Sequence, residues 1–99
     1  MTTTATDEVF AMVRDALAAV LEQPVSAFAP DTLLADVGTD SLALVEVAEI
    51  VEERLAATTG VRVRIADEDL DAFRTVGDAV DYLAARVATA APMASGQRR

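Results

Sequence analysis

Aliphatic residues recur at helical spacing in three separate runs of this chain, and no other feature constrains its fold as strongly. Val9, Phe10, Val13, Leu17, Val20 and Leu21 make the first run. Leu44, Val47, Ala48, Val51 and Leu55 make the second, and Val76, Ala79, Val80, Leu83 and Val87 the third. A helix with one apolar stripe must bury that stripe against another element. Ninety-nine residues suit one small domain with a limited core. Aromatic residues are only 4% of the chain, so Val, Leu, Ile and Ala must build that core, which favours a helical bundle over a β sandwich.

The punctuation between the runs sets the boundaries. Thr6 is placed to cap helix 1, with Asp7 and Glu8 complementing its dipole. Pro24 disfavours helix at the residue before it, so helix 1 should end near Glu22. The stretch QPVSAFAPDTLLADVGTD, residues 23–40, is a long connection that Phe28, Leu33, Leu34 and Val37 can tie down. A short helical turn is expected within it near 31–35, and Gly38 lets the backbone turn before the next element. Helix 2 should run from Ser41 to about Ala57, and Gly60 breaks the pattern. VRVRI alternates like a strand but has no partner run, so it reads as extended loop. A short helix is expected near 66–72. Thr75 then caps helix 4, with Asp78 three residues on in a capping-box-like position. The expected fold is all-α, a small four-helix bundle of three longer helices plus one short third helix, with a long loop between helices 1 and 2. Residues 1–5 and 89–99 are expected to be disordered tails around a folded domain at 6–88.

Charge and residue usage exclude several functions. The chain has 17 acidic and 8 basic residues, a net charge of −9, and no lysine. No arginine lies between Arg14 and Arg54, an interval that includes Asp36, Asp40, Glu46, Glu49, Glu52 and Glu53. Such a surface repels phosphate backbones, which argues against a nucleic-acid partner. It either steers the protein toward basic surfaces or serves solubility alone. With no Cys and no His there is no disulfide, no Cys or His metal site, and no Ser-His or Cys-His pair. Asp67, Glu68, Asp69 and Asp71 imitate the start of a calcium loop, but Ala72 replaces the required glycine and Asp78 the closing glutamate. The N-terminus lacks the pattern of a signal peptide, and no apolar run approaches the ~20 residues that span a bilayer. The expectation is a soluble, cytoplasmic monomer with no membrane partner.

Between the first two runs lies GTDSLALVE, residues 38–46. At ~100° per residue, Leu42, Val45, Glu46, Glu49 and Glu53 fall beside Ser41, away from the core stripe. Leu42 and Val45 either pack under the long loop or form an apolar spot among acids, suited to a partner surface bearing Arg or Lys. Ser41 also has two readings: a plain helix N-cap, or a presented hydroxyl. No base inside the chain can activate it, so any chemistry at Ser41 must be done by another protein.

DVGTDSLALVEVAEIVEERL resembles the carrier site of acyl carrier proteins, whose signature is Asp-x-Gly-x-Asp-Ser-Leu at the opening of the second helix. Asp36, Gly38, Asp40, Ser41 and Leu42 match it position by position, and Glu46, Glu52 and Glu53 match acids common further along. DEDLDAFRTVGDAVDYL resembles the family's third helix and the opening of its fourth, so the likeness spans about 6–88. The link AATTGVRVRIADEDL is longer and more basic than usual, Arg54 stands where another acid is common, and Glu49 where an apolar residue is common.

The resemblance implies that Ser41 receives a 4′-phosphopantetheine arm from coenzyme A, added by a separate phosphopantetheinyl transferase, and that acyl groups ride on the arm as thioesters. The protein would be a carrier and not an enzyme, with the thiol it lacks imported on the arm. Asp36, Asp40, Leu42, Val45, Glu46, Glu49 and Glu53 would be partner-docking residues, with N-capping the other reading of Asp40. The partners would be a ketosynthase, an acyltransferase or other acyl-processing enzymes with basic docking surfaces. DSLALVE resembles discrete carriers of bacterial polyketide pathways. The carrier of primary fatty-acid synthesis, a peptidyl carrier and a non-catalytic helical interaction module are the alternatives.

Overall fold

Each of the three apolar stripes forms a helix and buries the face that its spacing defines. The computed structural model describes residues 5–60 and 62–95. α1 spans Ala5–Leu21, α2 Ser41–Thr59, α3 Asp67–Ala72 and α4 Val76–Ser95. α1 packs against both α2 and α4, and α3 lies against α2. Val9, Val13, Ala16 and Leu17 of α1 meet Val47, Val51 and Leu55 of α2 and Val76, Val80, Leu83 and Val87 of α4 in one core. The arrangement is the expected all-α bundle of three longer helices and one short one, and no strand is present among the described residues.

Helix ends follow from local chemistry. Gly60 takes the left-handed conformation at φ 76° and closes α2, its N–H bonded to the Ala56 carbonyl at 3.0 Å. Thr75 and Asp78 form the capping box of α4. The Asp78 N–H donates to Thr75 Oγ1 at 3.0 Å, and Asp78 Oδ2 accepts from the Thr75 N–H at 3.1 Å and the Arg74 N–H at 2.9 Å.

The loop between α1 and α2 departs from expectation in detail. Its helical turns are 3₁₀ and lie at Val25–Ala27, which was not anticipated, and at Ala35–Val37 instead of 31–35. The Leu34 N–H and the Thr32 carbonyl, which a helical turn over 31–35 would use, are committed to the α3–α4 junction. The Leu34 N–H bonds to the Arg74 carbonyl at 2.9 Å, the Val76 N–H to the Thr32 carbonyl at 3.0 Å, and Leu33 pairs with Thr75 in an antiparallel bridge. The Gly77 N–H adds a 2.7 Å bond to the Pro30 carbonyl. Inside the loop, Gln23 Nε2 donates to the Val37 carbonyl at 2.9 Å, while Phe28 and Leu34 are buried in the core.

Three boundaries also move. α1 begins at Ala5, ahead of the expected cap at Thr6, and α2 continues two residues past Ala57 to Thr59. α4 runs on to Ser95, through 89–95, where the sequence reading placed a disordered tail. Ala90, Ala91 and Ala94 favour helix in that stretch, and Pro92 opposes it. The rest of the expected tails, 1–4 and 96–99, lies outside the described residues.

The VRVRI segment has no regular secondary structure over its described residues 62–65. Val63 is buried, Ile65 packs against the core, and Arg62 and Arg64 are exposed. One side chain holds the segment to α2: Glu52 Oε2 accepts the Ile65 N–H at 2.9 Å. α3 is fixed in turn to α4, where the Tyr82 hydroxyl donates to Asp69 Oδ2 at 2.8 Å and the Tyr82 ring meets Phe73 edge-on at 5.4 Å. Partial burial of Tyr82 and its bond to Asp69 both raise the phenol pKa.

Candidate functional site

The N-cap of α2 is Asp40, one residue before the serine. Its Oδ1 accepts the Ala43 N–H at 2.8 Å, and Gly38, at φ 85°, supplies the turn that brings it there. Ser41 is therefore the first helical residue and not the cap. Its side chain is exposed, and its hydroxyl makes no hydrogen bond to another described residue. The neighbouring Thr39 is held by its N–H on the Leu34 carbonyl at 3.0 Å, and its Oγ1 is buried without a hydrogen-bond partner among the described residues.

Ser41 sits where two open clefts meet. One, of about 420 Å³, lies between the loop, the start of α2 and the α3–α4 junction, with Leu33, Asp40, Asp71, Phe73 and Arg74 among its walls. The other, of about 300 Å³, lies between α2 and α3 and is lined by Leu44, Val45, Asp67, Leu70 and Asp71 as well as Ser41. Leu44 and Leu70 border both clefts, and they also border a wholly apolar cavity of about 20 Å³ in the core, walled further by Val13, Val51, Ile65 and Phe73. The serine thus stands at the mouth of a path from polar surface to aliphatic interior, with Leu44, Leu70 and Phe73 as the partition.

Leu42 and Val45 do not pack under the loop. Leu42 is 70% exposed and Val45 36% exposed, and Glu46, Glu49 and Glu53 are exposed on the same side of α2. Together they form one stripe leading away from Ser41, apolar near the serine and acidic beyond it. Asp40 lies at the head of that stripe. Asp36 is exposed but lies apart from α2, on the second 3₁₀ turn. No group of His, Cys, Asp or Glu able to hold a metal occurs among the described residues, and no helix there is long and apolar enough to cross a membrane.

Residues 12–83, a span that contains this serine, match the protein family described as "Phosphopantetheine attachment site". The chain belongs to that family. An acyl carrier protein of Clostridium perfringens is 42% identical over 52 residues, 52% of this chain and 60% of that protein. Another, of Acidothermus cellulolyticus, is 45% identical over 49 residues, 50% of this chain and 51% of that protein. The chain therefore spans between half and three-fifths of the length of these curated relatives.

The group that phosphopantetheine-attachment domains carry fits the surroundings of Ser41. The hydroxyl is exposed and unengaged, because Asp40 has taken over the capping that would otherwise occupy it. The first turn of a helix is also a favourable place for an anion. Leu33, Leu70, Asp71, Phe73 and Arg74 around the serine were not anticipated as site residues. Leu70 and Asp71 reach it through the packing of α3 on α2, and Leu33 and Arg74 through the pairing of the loop with the α3–α4 junction. One signal was readable: a glycine in the first turn of a helix, Gly77, marks a close backbone approach.

Proposed function

We propose that the chain is an acyl carrier whose arm is attached at Ser41 and whose docking face is the exposed stripe of α2. The observation that carries this reading is the exposed, unengaged Ser41 hydroxyl at the first position of α2, inside the family's matched span. A separate transferase would join Ser41 Oγ to the β-phosphorus of coenzyme A. Adenosine bisphosphate would leave, and the serine proton would pass to a base on the transferase, since this chain offers none. Once attached, the arm supplies the thiol that holds acyl groups as thioesters. Asp40 keeps the serine presented by capping the helix in its place. Leu42 and Val45 offer an apolar contact beside the attachment point, and Glu46, Glu49 and Glu53 offer charge to a basic partner surface.

The resemblance of DSLALVE to discrete polyketide carriers favours a partner set of ketosynthase and acyltransferase, with the chain acting in the cytoplasm. The apolar cavity behind Leu44 and Leu70 favours a second reading, a carrier of saturated fatty acyl chains. Incubation with coenzyme A, Mg²⁺ and a permissive transferase should add the mass of one arm, and Ser41→Ala should add none. Equal modification of the Ser41→Ala protein would move the attachment point elsewhere.

A further inference from the structure

We propose that Arg74 is the counter-charge that seats the phosphodiester of the arm, so that the arm lies in the cleft between the loop and the α3–α4 junction. This rests on the reading of Ser41 as the attachment point. A phosphodiester there is a permanent anion, and its surroundings are acidic. Asp40 and Asp71 line the larger cleft, and Asp67 and Asp71 line the smaller one. Among the described residues, Arg74 is the only basic side chain lining either cleft, and it belongs to the larger. The smaller cleft therefore offers the anion only like charge.

Arg74 is also built in from both sides of its backbone. Its N–H is held by Asp78 Oδ2 at 2.9 Å, and its carbonyl accepts the Leu34 N–H at 2.9 Å. The root of the side chain is thereby fixed on the cleft wall, and only the side chain itself is left to search. Its guanidinium forms no ion pair among the described residues, although its charge is felt weakly at Asp78. A guanidinium gives a phosphodiester two parallel N–H donors, which an ammonium cannot match. Of the other exposed arginines described in this half of the chain, Arg62 and Arg64 line a different depression with Glu52 and Glu53, Arg54 faces Asp15 at 3.6 Å, and Arg86 lies over the Tyr82 ring.

The test uses the arm-bearing protein, with intact mass establishing that the arm is on. The ³¹P resonance of the phosphodiester should lie away from its position in denaturant by more than its linewidth. The Arg74 Nε–H signal should move between the unmodified and arm-bearing protein. Arg74→Gln should return the ³¹P resonance to its denatured position, and Arg74→Lys should retain part of the displacement. The unmodified Arg74→Gln protein should melt with the unmodified wild type, which separates loss of the contact from loss of the fold. A ³¹P position shared by wild type and Arg74→Gln, with Arg74 Nε–H unmoved by loading, would overturn the proposal and leave the Ser41 reading intact. Failure of the wild type to gain the arm's mass would overturn both.

Discussion

Gly77 has no room for a side chain. A Cβ there would stand 2.9 Å from the Pro30 carbonyl oxygen, the same oxygen that accepts the Gly77 N–H. Alanine is ordinarily better than glycine in a helix by ~1 kcal/mol. Here the crowding costs ~1–3 kcal/mol, and the bond to Pro30 is strained as well. Gly77→Ala is therefore expected to lose about 1–2 kcal/mol, read as a lower urea midpoint with an unchanged slope. Asp78, one residue on, makes a prediction about pH. The backbone N–H groups of Arg74 and Thr75 hold its pKa below the ordinary 3.8. A depressed folded pKa gives stability that is present above the unfolded value and is lost as pH falls through the folded one. Asp78→Asn should accordingly lower the melting temperature at neutral pH and flatten its fall below about pH 3.8, so that the two proteins converge in acid.

At the scale of elements, the exposed stripe of α2, proposed above as the docking face, is separable from the core stripe. Val47, Ala48, Val51 and Leu55 are buried, while Glu46 and Glu53 are exposed. Reversing both charges should cost under ~0.5 kcal/mol per site in stability. It should slow transfer to a basic partner and reduce the salt dependence of that transfer, mainly through the on-rate. Unchanged partner kinetics in the double variant would place docking on another face. The helices and their buried faces were legible in the sequence because periodicity is local: the whole α4 stripe, Val76, Ala79, Val80, Leu83 and Val87, is buried as its spacing requires. The capping box at Thr75 was legible for the same reason. The walls of the Ser41 clefts were not, because Leu33 and Arg74 come together through backbone bonds across some forty residues of sequence. Glu52 shows the same limit. Its sequence places it among acids of the second helix, yet its carboxylate accepts the Ile65 N–H.

For the whole molecule, the aliphatic core is the quantity of interest. The cavity behind Leu44 and Leu70 holds only about 20 Å³, so a long chain must part α2 from α3 to enter. α3 is the element best placed to yield, since it is six residues long and buries only Leu70. Burial returns ~0.8 kcal/mol per CH₂ against the cost of that opening. Melting temperature should therefore rise along a series of saturated acyl groups carried on the arm, and change little with a short ketone-bearing one. A flat series would show that the core admits no cargo and would favour a carrier that displays its intermediate in solvent.

The fastening of the loop to the start of α4 has a further consequence for how the protein is made. During synthesis Ser41 leaves the ribosome before residues 74–77, whose backbone groups bind Pro30, Thr32 and Leu34. A nascent chain that already displays the DSL motif thus lacks the pairing that completes the walls around it. The cap that presents the hydroxyl is local, at Asp40, but the cleft walls around it are complete only when the loop has met residues 74–77.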